Sequence, residues 1–307
     1  MAAPLPKTAL GRLWAWAVLL IMGVAWGLTF SLAKIAVDGG AHPLGITLWQ
    51  ALLGAALLLA VTLARRRPLR LGASYLNLYL LCALLGTAVP GVLFFYAALH
   101  VPVGVLSITV TLVPILTVVL SALLGVERLA LARVTGVLLG LLSVLLLVAP
   151  EESLPDPGTA PWVLAACAAS ACYAAENLVI ALRTPPGANA FSVAGGMFVV
   201  ASVFLMPIVA WTDSFVPLAW PWGAVEWSII GMSAISAVAY SLFIYLVNRA
   251  GPVFASQTAY VVTLSGVFWG IAIFGEVHSF WIWLSLLLMM IGLTLVRPRE
   301  AAAEPVG

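Results

Sequence analysis

Ten stretches of roughly 20 mostly apolar residues, separated by short polar or Pro/Gly breaks, leave this chain little choice of surroundings. Wound as a helix at about 1.5 Å per residue, each is long enough to cross a hydrocarbon layer. Lipid supplies no hydrogen bonds to backbone, so helices that satisfy themselves are the structures such stretches can form there. They run over residues 13–37, 44–64, 75–99, 104–124, 131–148, 162–182, 191–211, 227–247, 253–274 and 280–296. The fold class expected is all-α, a polytopic membrane protein of ten transmembrane helices. Composition agrees: 64% of the 307 residues are hydrophobic, 8% are charged and the mean hydropathy is +1.17. A soluble protein carries roughly a quarter charged residues. A net charge of +2, with Arg65 to Arg67 as the one basic tract, gives no reason to expect a nucleic-acid partner. The partners expected are the bilayer and a small molecule.

Lys and Arg set the orientation, because positively charged loops stay in the cytoplasm. With the N-terminus inside, twelve of the thirteen cations are cytoplasmic, Lys34 within the first span being the exception. Asp38, Glu151, Glu152, Asp156, Asp213, Glu226 and Glu276 then fall on the outer side, as do His42, His100 and His278. Both termini are expected inside, which requires an even number of spans. Lys7 and Arg12 precede the first span as in a signal peptide, but its length reads as an uncleaved helix. Trp211, Trp220, Trp222 and Trp227 gather around one outer loop, where indole rings suit the headgroup region. Eleven Arg against two Lys, with abundant Ala and Leu, points to a GC-rich bacterial genome and so to an inner membrane.

The polar segment 150–161 divides the chain into units 1–150 and 151–307, each with five spans. They resemble each other. Glu127 follows the fourth span and Glu276 the ninth; in that register Gly136 matches Ser285 and Ser143 matches Gly292. Trp26 matches Tyr173 under a slightly shifted alignment. An odd number of spans per unit threads the second upside down, an inverted repeat as in secondary transporters. One pattern in two orientations gives two packings of similar energy, the bistability that alternating access needs.

These residues resemble the ten-span branch of the drug/metabolite transporter superfamily, the EamA-like group, over nearly the whole chain. Trp26, Gly27 and Phe30 followed by Lys34 and then Pro43 are similar to its opening pattern; Pro114, Glu127, Arg128 and Gly136 continue it, and Gly275-Glu276 repeats the ending. The chain departs at Gln50, where the family often has Arg, at Gly125-Val126-Glu127 in place of Gly-Glu, and at Thr263 in place of a proline. The resemblance implies a carrier that exports amino acids or other small metabolites, some aromatic.

A charge near the bilayer centre costs about 2.5–3.5 kcal/mol on the mild insertion scale, which makes intramembrane charges functional candidates. Two qualify, Lys34 and Glu176. Glu176 is suited to bind an ammonium or exchange a proton, unless it reaches Arg183; Lys34 is a gating candidate, although Asp38 four residues on offers an ion pair. Polar Gln50, Thr111, Asn177, Gln257 and Tyr260, with Trp26, Tyr96, Tyr173, Tyr240 and Trp269 as aromatic walls, are candidates to line a cavity. Gln257 and Tyr260 share a face, and Thr111 is the repeat counterpart of Tyr260. Pro90, Pro114 and Pro207 are candidate hinges, and the pairs Gly23/Gly27, Gly136/Gly140 and Gly266/Gly270 suit close packing within one monomer.

Cys82, Cys167 and Cys172 show neither CxxC spacing nor a nearby His and read as small buried hydrophobes, so no metal or other cofactor is expected. Neither lysine follows a phosphate-binding loop, and no HExxH or Ser–His pair lies within the spans, so neither an ATP-driven pump nor an enzyme is expected. A channel, or a lipid or drug translocator without proton coupling, fits the composition too; the repeat and the resemblance favour a secondary transporter. With one Lys inside the spans and no Arg beyond their end turns, where Arg133 stands, its substrate is expected to be neutral, zwitterionic or partly aromatic.

Overall fold

The computed structural model describes residues 9–66, 69–125, 131–148, 157–185, 188–250 and 258–295. Every extended element among them is helical: α1 Ala9–Asp38, α2 Pro43–Ala64, α3 Ala73–Ala83, α4 Val89–His100, α5 Val103–Val110, α6 Leu112–Leu123, α7 Leu131–Val148, α8 Ala160–Arg183, α9 Ala190–Trp211, α10 Ala224–Ala250, α11 Thr258–Phe274 and α12 Phe280–Leu295. Among the described residues, six helical runs are long and apolar enough to cross a membrane, those of α1, α2, α3 through α4, α5 through α6, α8 and α9; four shorter apolar helices accompany them.

Local chemistry sets the ends of these helices. His42 accepts the Leu44 N–H at the start of α2, with Pro43 in the first turn, and the Asn189 side chain accepts from Phe191 and Ser192 at the start of α9. Gly125 after α6 and Gly275 after α11 stand at φ +69° and +66°, left-handed stops that end the two matching helices one residue out of the repeat register. The three intramembrane prolines behave differently. In a regular helix the Pro90 ring would strike the Gly86 carbonyl, and a π-helical turn at Leu84–Ala88 widens the rod there. Pro114 withdraws the N–H that the Val110 carbonyl would accept from, and the rod breaks at Thr111, between α5 and α6. Pro207 leaves α9 uninterrupted.

Packing follows an internal two-fold pattern. α1 lies on α10 as the α3–α4 rod lies on α8; α1 lies on α11 as α5 and α6 lie on α8; α2 meets α10 as α3 meets α9. The pairs α2/α9, α5/α11 and α7/α12 map onto themselves. Their directions can be read from single contacts. Gly136 meets Gly292 while Ser143 meets Ser285, so α7 and α12 run antiparallel. Gly104 meets Gly270, Ser107 meets Gly266 and Thr111 meets Thr263, which makes α5 antiparallel to α11. Gly54 against Phe198 and Gly195 against Leu58 make α2 antiparallel to α9. α1 and α11 are parallel, with Gly23 on Val261 and Gly27 on Ser265. These are the directions an inverted repeat of alternately threaded helices requires.

Small residues and short hydroxyls make these contacts. A Cβ on Gly292 would sit 2.8 Å from the Gly136 carbonyl oxygen. Ser143 and Ser285, both fully buried, each donate to the other's carbonyl at 2.9 and 3.0 Å, their hydroxyls 2.8 Å apart. With no hydrophobic drive between helices in lipid, this close approach and interhelical bonding hold the bundle together.

Candidate functional site

Glu176 sits on α8, the helix that meets α3, the π-turn and α4. Its side chain is buried, at 6% exposure, and its Oε1 has no hydrogen-bond partner. Among the described residues it makes no ion pair, and Arg183 lies exposed at the end of α8 without reaching it. The carboxylate lies against Gly86 in the π-turn: a Cβ built there would overlap both carboxylate oxygens. Thr87, the next residue, is also buried with an unpartnered hydroxyl. Tyr173 on α8, Cys82 on α3 and Tyr240 on α10 lie within electrostatic range of the carboxylate, and none of the three supplies a positive charge. Residues from both units thus surround one carboxyl that no described residue neutralises. Gly86 was not a candidate from the sequence. The signal for it was Pro90 four residues later, whose ring forces a non-α turn with the glycine inside it.

A second constellation lies at the end of the bundle that carries the three histidines. Lys34 pairs with Asp38 at 3.0 Å and donates to the Leu99 carbonyl at 3.4 Å, near the negative end of α4. The expected pair is formed within α1, and the bond to Leu99 ties α1 to α4. His42 uses Nδ1 to accept from Leu44, so in the neutral ring Nε2 carries the proton and faces the Tyr96 hydroxyl at 3.4 Å. Tyr96 and His100 both stack on Trp162, His100 with ring centroids 4.2 Å apart. Trp49 reaches across to the Val216 carbonyl at 2.8 Å.

Glu276 has a role at this end that the sequence did not indicate. Its two oxygens accept the Val103 and Gly104 N–H groups at 2.6 and 3.0 Å, closing the first turn of α5 from the opposite unit. His278, with a side chain only 1% exposed, stands 3.5 Å from it. Burial lowers the imidazole's pKa below its usual value, and the Glu276 carboxylate opposes this in part. The repeat partner Glu127 and the candidate Gln257 lie outside the described residues.

The remaining candidates are dispersed. Thr111 is fully buried, its hydroxyl on the Ile108 carbonyl at 2.6 Å and beside that of Thr263 at 3.1 Å, within the α5/α11 seam. Gln50 is half-buried on α2 and makes no hydrogen bond among the described residues, Tyr260 is half-buried on α11, and Asn177 is exposed on α8. Trp26 packs edge-on against Phe243 of α10, and Trp269 donates to the Val24 carbonyl. Cys82 is buried and the other two cysteines half-buried, all with free thiols.

A bundle of apolar helices built on an internal inverted repeat, with an enclosed carboxyl where its units meet, defines a polytopic membrane protein of the transporter type. A profile of the EamA-like transporter family matches residues 13–149 and again 160–297. The chain belongs to the EamA-like transporter family, whose members are membrane transporters of the drug/metabolite type. It is similar to the uncharacterized inner membrane transporter YedA of Escherichia coli strain K12, 26% identical over 282 residues that cover 91% of this chain and 89% of YedA. YedA of E. coli O157:H7 matches to the same extent. A crystal structure of a protein 21% identical in sequence superposes with a TM-score of 0.62, covering 93% of this chain and 97% of the other, a likeness in fold alone.

Proposed function

We propose that this protein is a secondary transporter that exports a small neutral or zwitterionic metabolite, an amino acid or a related compound, across the bacterial inner membrane. In this reading units 1–150 and 151–307 rock against each other to open the site to either side in turn, with both termini cytoplasmic. The observation that carries it is Glu176, a buried carboxyl without ion pair or hydrogen bond on Oε1, where elements of both units meet. An enclosed carboxylate without a partner is costly, and it is relieved by taking up a proton or a ligand ammonium. Glu176 is therefore the proton or amine site, with Tyr173 and Tyr240 beside it as aromatic walls. The inner-membrane relatives support the location, and the absence of Arg from the expected spans beyond their end turns, Arg133 standing in the first turn of the fifth, supports the substrate class.

The test is uptake and counterflow in proteoliposomes against a panel of amino acids, with and without an imposed pH gradient. Glu176→Gln is expected to abolish the pH dependence of flux. If flux and its pH dependence match those of the wild type, Glu176 is not the coupling site.

A further inference from the structure

Gly86 is held towards α8 by a turn that exists because Pro90 follows it, and the space its side chain would fill already contains the Glu176 carboxyl. The two features are independent, since the turn comes from a proline on one rod and the acid from another helix. We propose that Gly86 is a positioning residue for Glu176: the gap left by its missing side chain, presented by the π-turn, is the seat in which the proton-carrying form of the carboxyl is sealed from water. This rests on the reading of Glu176 as a proton site and names the residue that makes the site selective for the neutral form.

Among the described residues, nothing around the seat carries a positive charge. On α3, Cys82 is buried within electrostatic range of the acid; Tyr173 on α8 and Tyr240 on α10, both half-buried, are likewise in range, and none of these is a cation. An ionised carboxylate finds no cation among the described residues to offset its lost water, whereas a protonated one asks only for space. Losing the proton then favours leaving the Gly86 seat, which requires the π-turn and α8 to part. Thr87, with its own buried hydroxyl unpartnered, lies on the turn that would have to move. π-turns inserted in helices commonly mark such functional positions.

Dicyclohexylcarbodiimide, which enters from lipid and reacts with protonated carboxyls, is a probe that needs no knowledge of the substrate. Labelling at position 176 is followed by peptide mass spectrometry on the full-length protein in liposomes at neutral pH. Wild-type Glu176 is expected to react. Gly86→Ala, by evicting the carboxyl towards water, is expected to slow labelling roughly tenfold, the change in protonated fraction that one pH unit makes. Shortening the acid gives the space back, so labelling at position 176 in Gly86→Ala/Glu176→Asp is expected to recover most of the rate. If Gly86→Ala does not fold, recovery of folded protein in the double variant supports the same packing, and failure to recover it overturns the proposal. Labelling unchanged by Gly86→Ala overturns it as well, while the Glu176→Gln flux measurement judges the proton-site reading separately.

Discussion

Removing the Glu276 carboxylate tests a bond between the two units that can be costed. Its oxygens accept two backbone N–H groups of α5, from Val103 at 2.6 Å and Gly104 at 3.0 Å, and the side chain is 11% exposed. A hydrogen bond to a charged group contributes about 1.5–3 kcal/mol. A carboxylate at a helix N-terminus adds about 0.3–1 kcal/mol through the dipole. Glu276→Ala forfeits both bonds and leaves two N–H groups facing a gap that water fills in part, so a loss of about 2–4 kcal/mol is expected. Glu276→Gln keeps one acceptor oxygen and is expected to lose about half as much. Equilibrium unfolding in mixed micelles, followed by tryptophan fluorescence, gives both values. If the alanine variant loses less than about 0.5 kcal/mol, or the glutamine variant as much as the alanine one, the bidentate cap does not hold α5 in the way the distances imply.

Two further outcomes follow from the same structure. Gly292→Ala places a Cβ 2.8 Å from a backbone oxygen that cannot swing away, and is expected to cost about 1–3 kcal/mol in the same unfolding measurement; Ser143→Ala, which removes one hydroxyl from a reciprocal pair, is expected to cost about 0.6–1.7 kcal/mol. Acid is expected to loosen the histidine end. Burial holds His278 below the ordinary imidazole value near 6.5, so the folded state binds fewer protons than the unfolded one. The stability this contributes is present above about pH 6.5 and is lost as pH falls through the folded value. A melting temperature that drops on acidification in the wild type and drops less in His278→Gln agrees with this, and identical profiles contradict it.

What the sequence makes legible is what periodicity and charge control. Apolar length places the helices within a few residues of their observed ends, whereas the stops at Gly125 and Gly275 stand one residue out of the Glu127/Glu276 register and were not expected. Register does not give contacts, however. Ser143 corresponds to Gly292 in the repeat, yet it touches Ser285, because a two-fold axis between antiparallel helices pairs each residue with the counterpart of a different one. Thr111 reads as a cavity residue because a hydroxyl in a span looks available, whereas Thr263 already engages it. The cap on α5 was out of reach for another reason. Glu276 lies 172 positions from Gly104, and only the folded bundle brings them together. Gly86 was hidden by being a glycine, whose function is the space it leaves to a residue far along the chain.

The scaffold is symmetric but the charge is not. Under the alignment that matches Trp26 with Tyr173, the first-unit position corresponding to Glu176 is Thr29, whose hydroxyl is satisfied by the Trp26 carbonyl at 2.6 Å within its own helix. Exchanging the two packings of an inverted repeat would exchange the surroundings of these two positions. A threonine bonded to its own backbone makes small demands on its surroundings, whereas a carboxyl demands either dry space as a neutral acid or water as an anion. In the proposed alternating-access reading the two packings would then differ in energy, and their difference would change with the proton on Glu176. A ligand shifts an equilibrium only by binding its two states unequally. On the reading proposed for Glu176, the proton meets that condition because one unit carries the acid and the other does not, and a second carboxyl at position 29 would remove it.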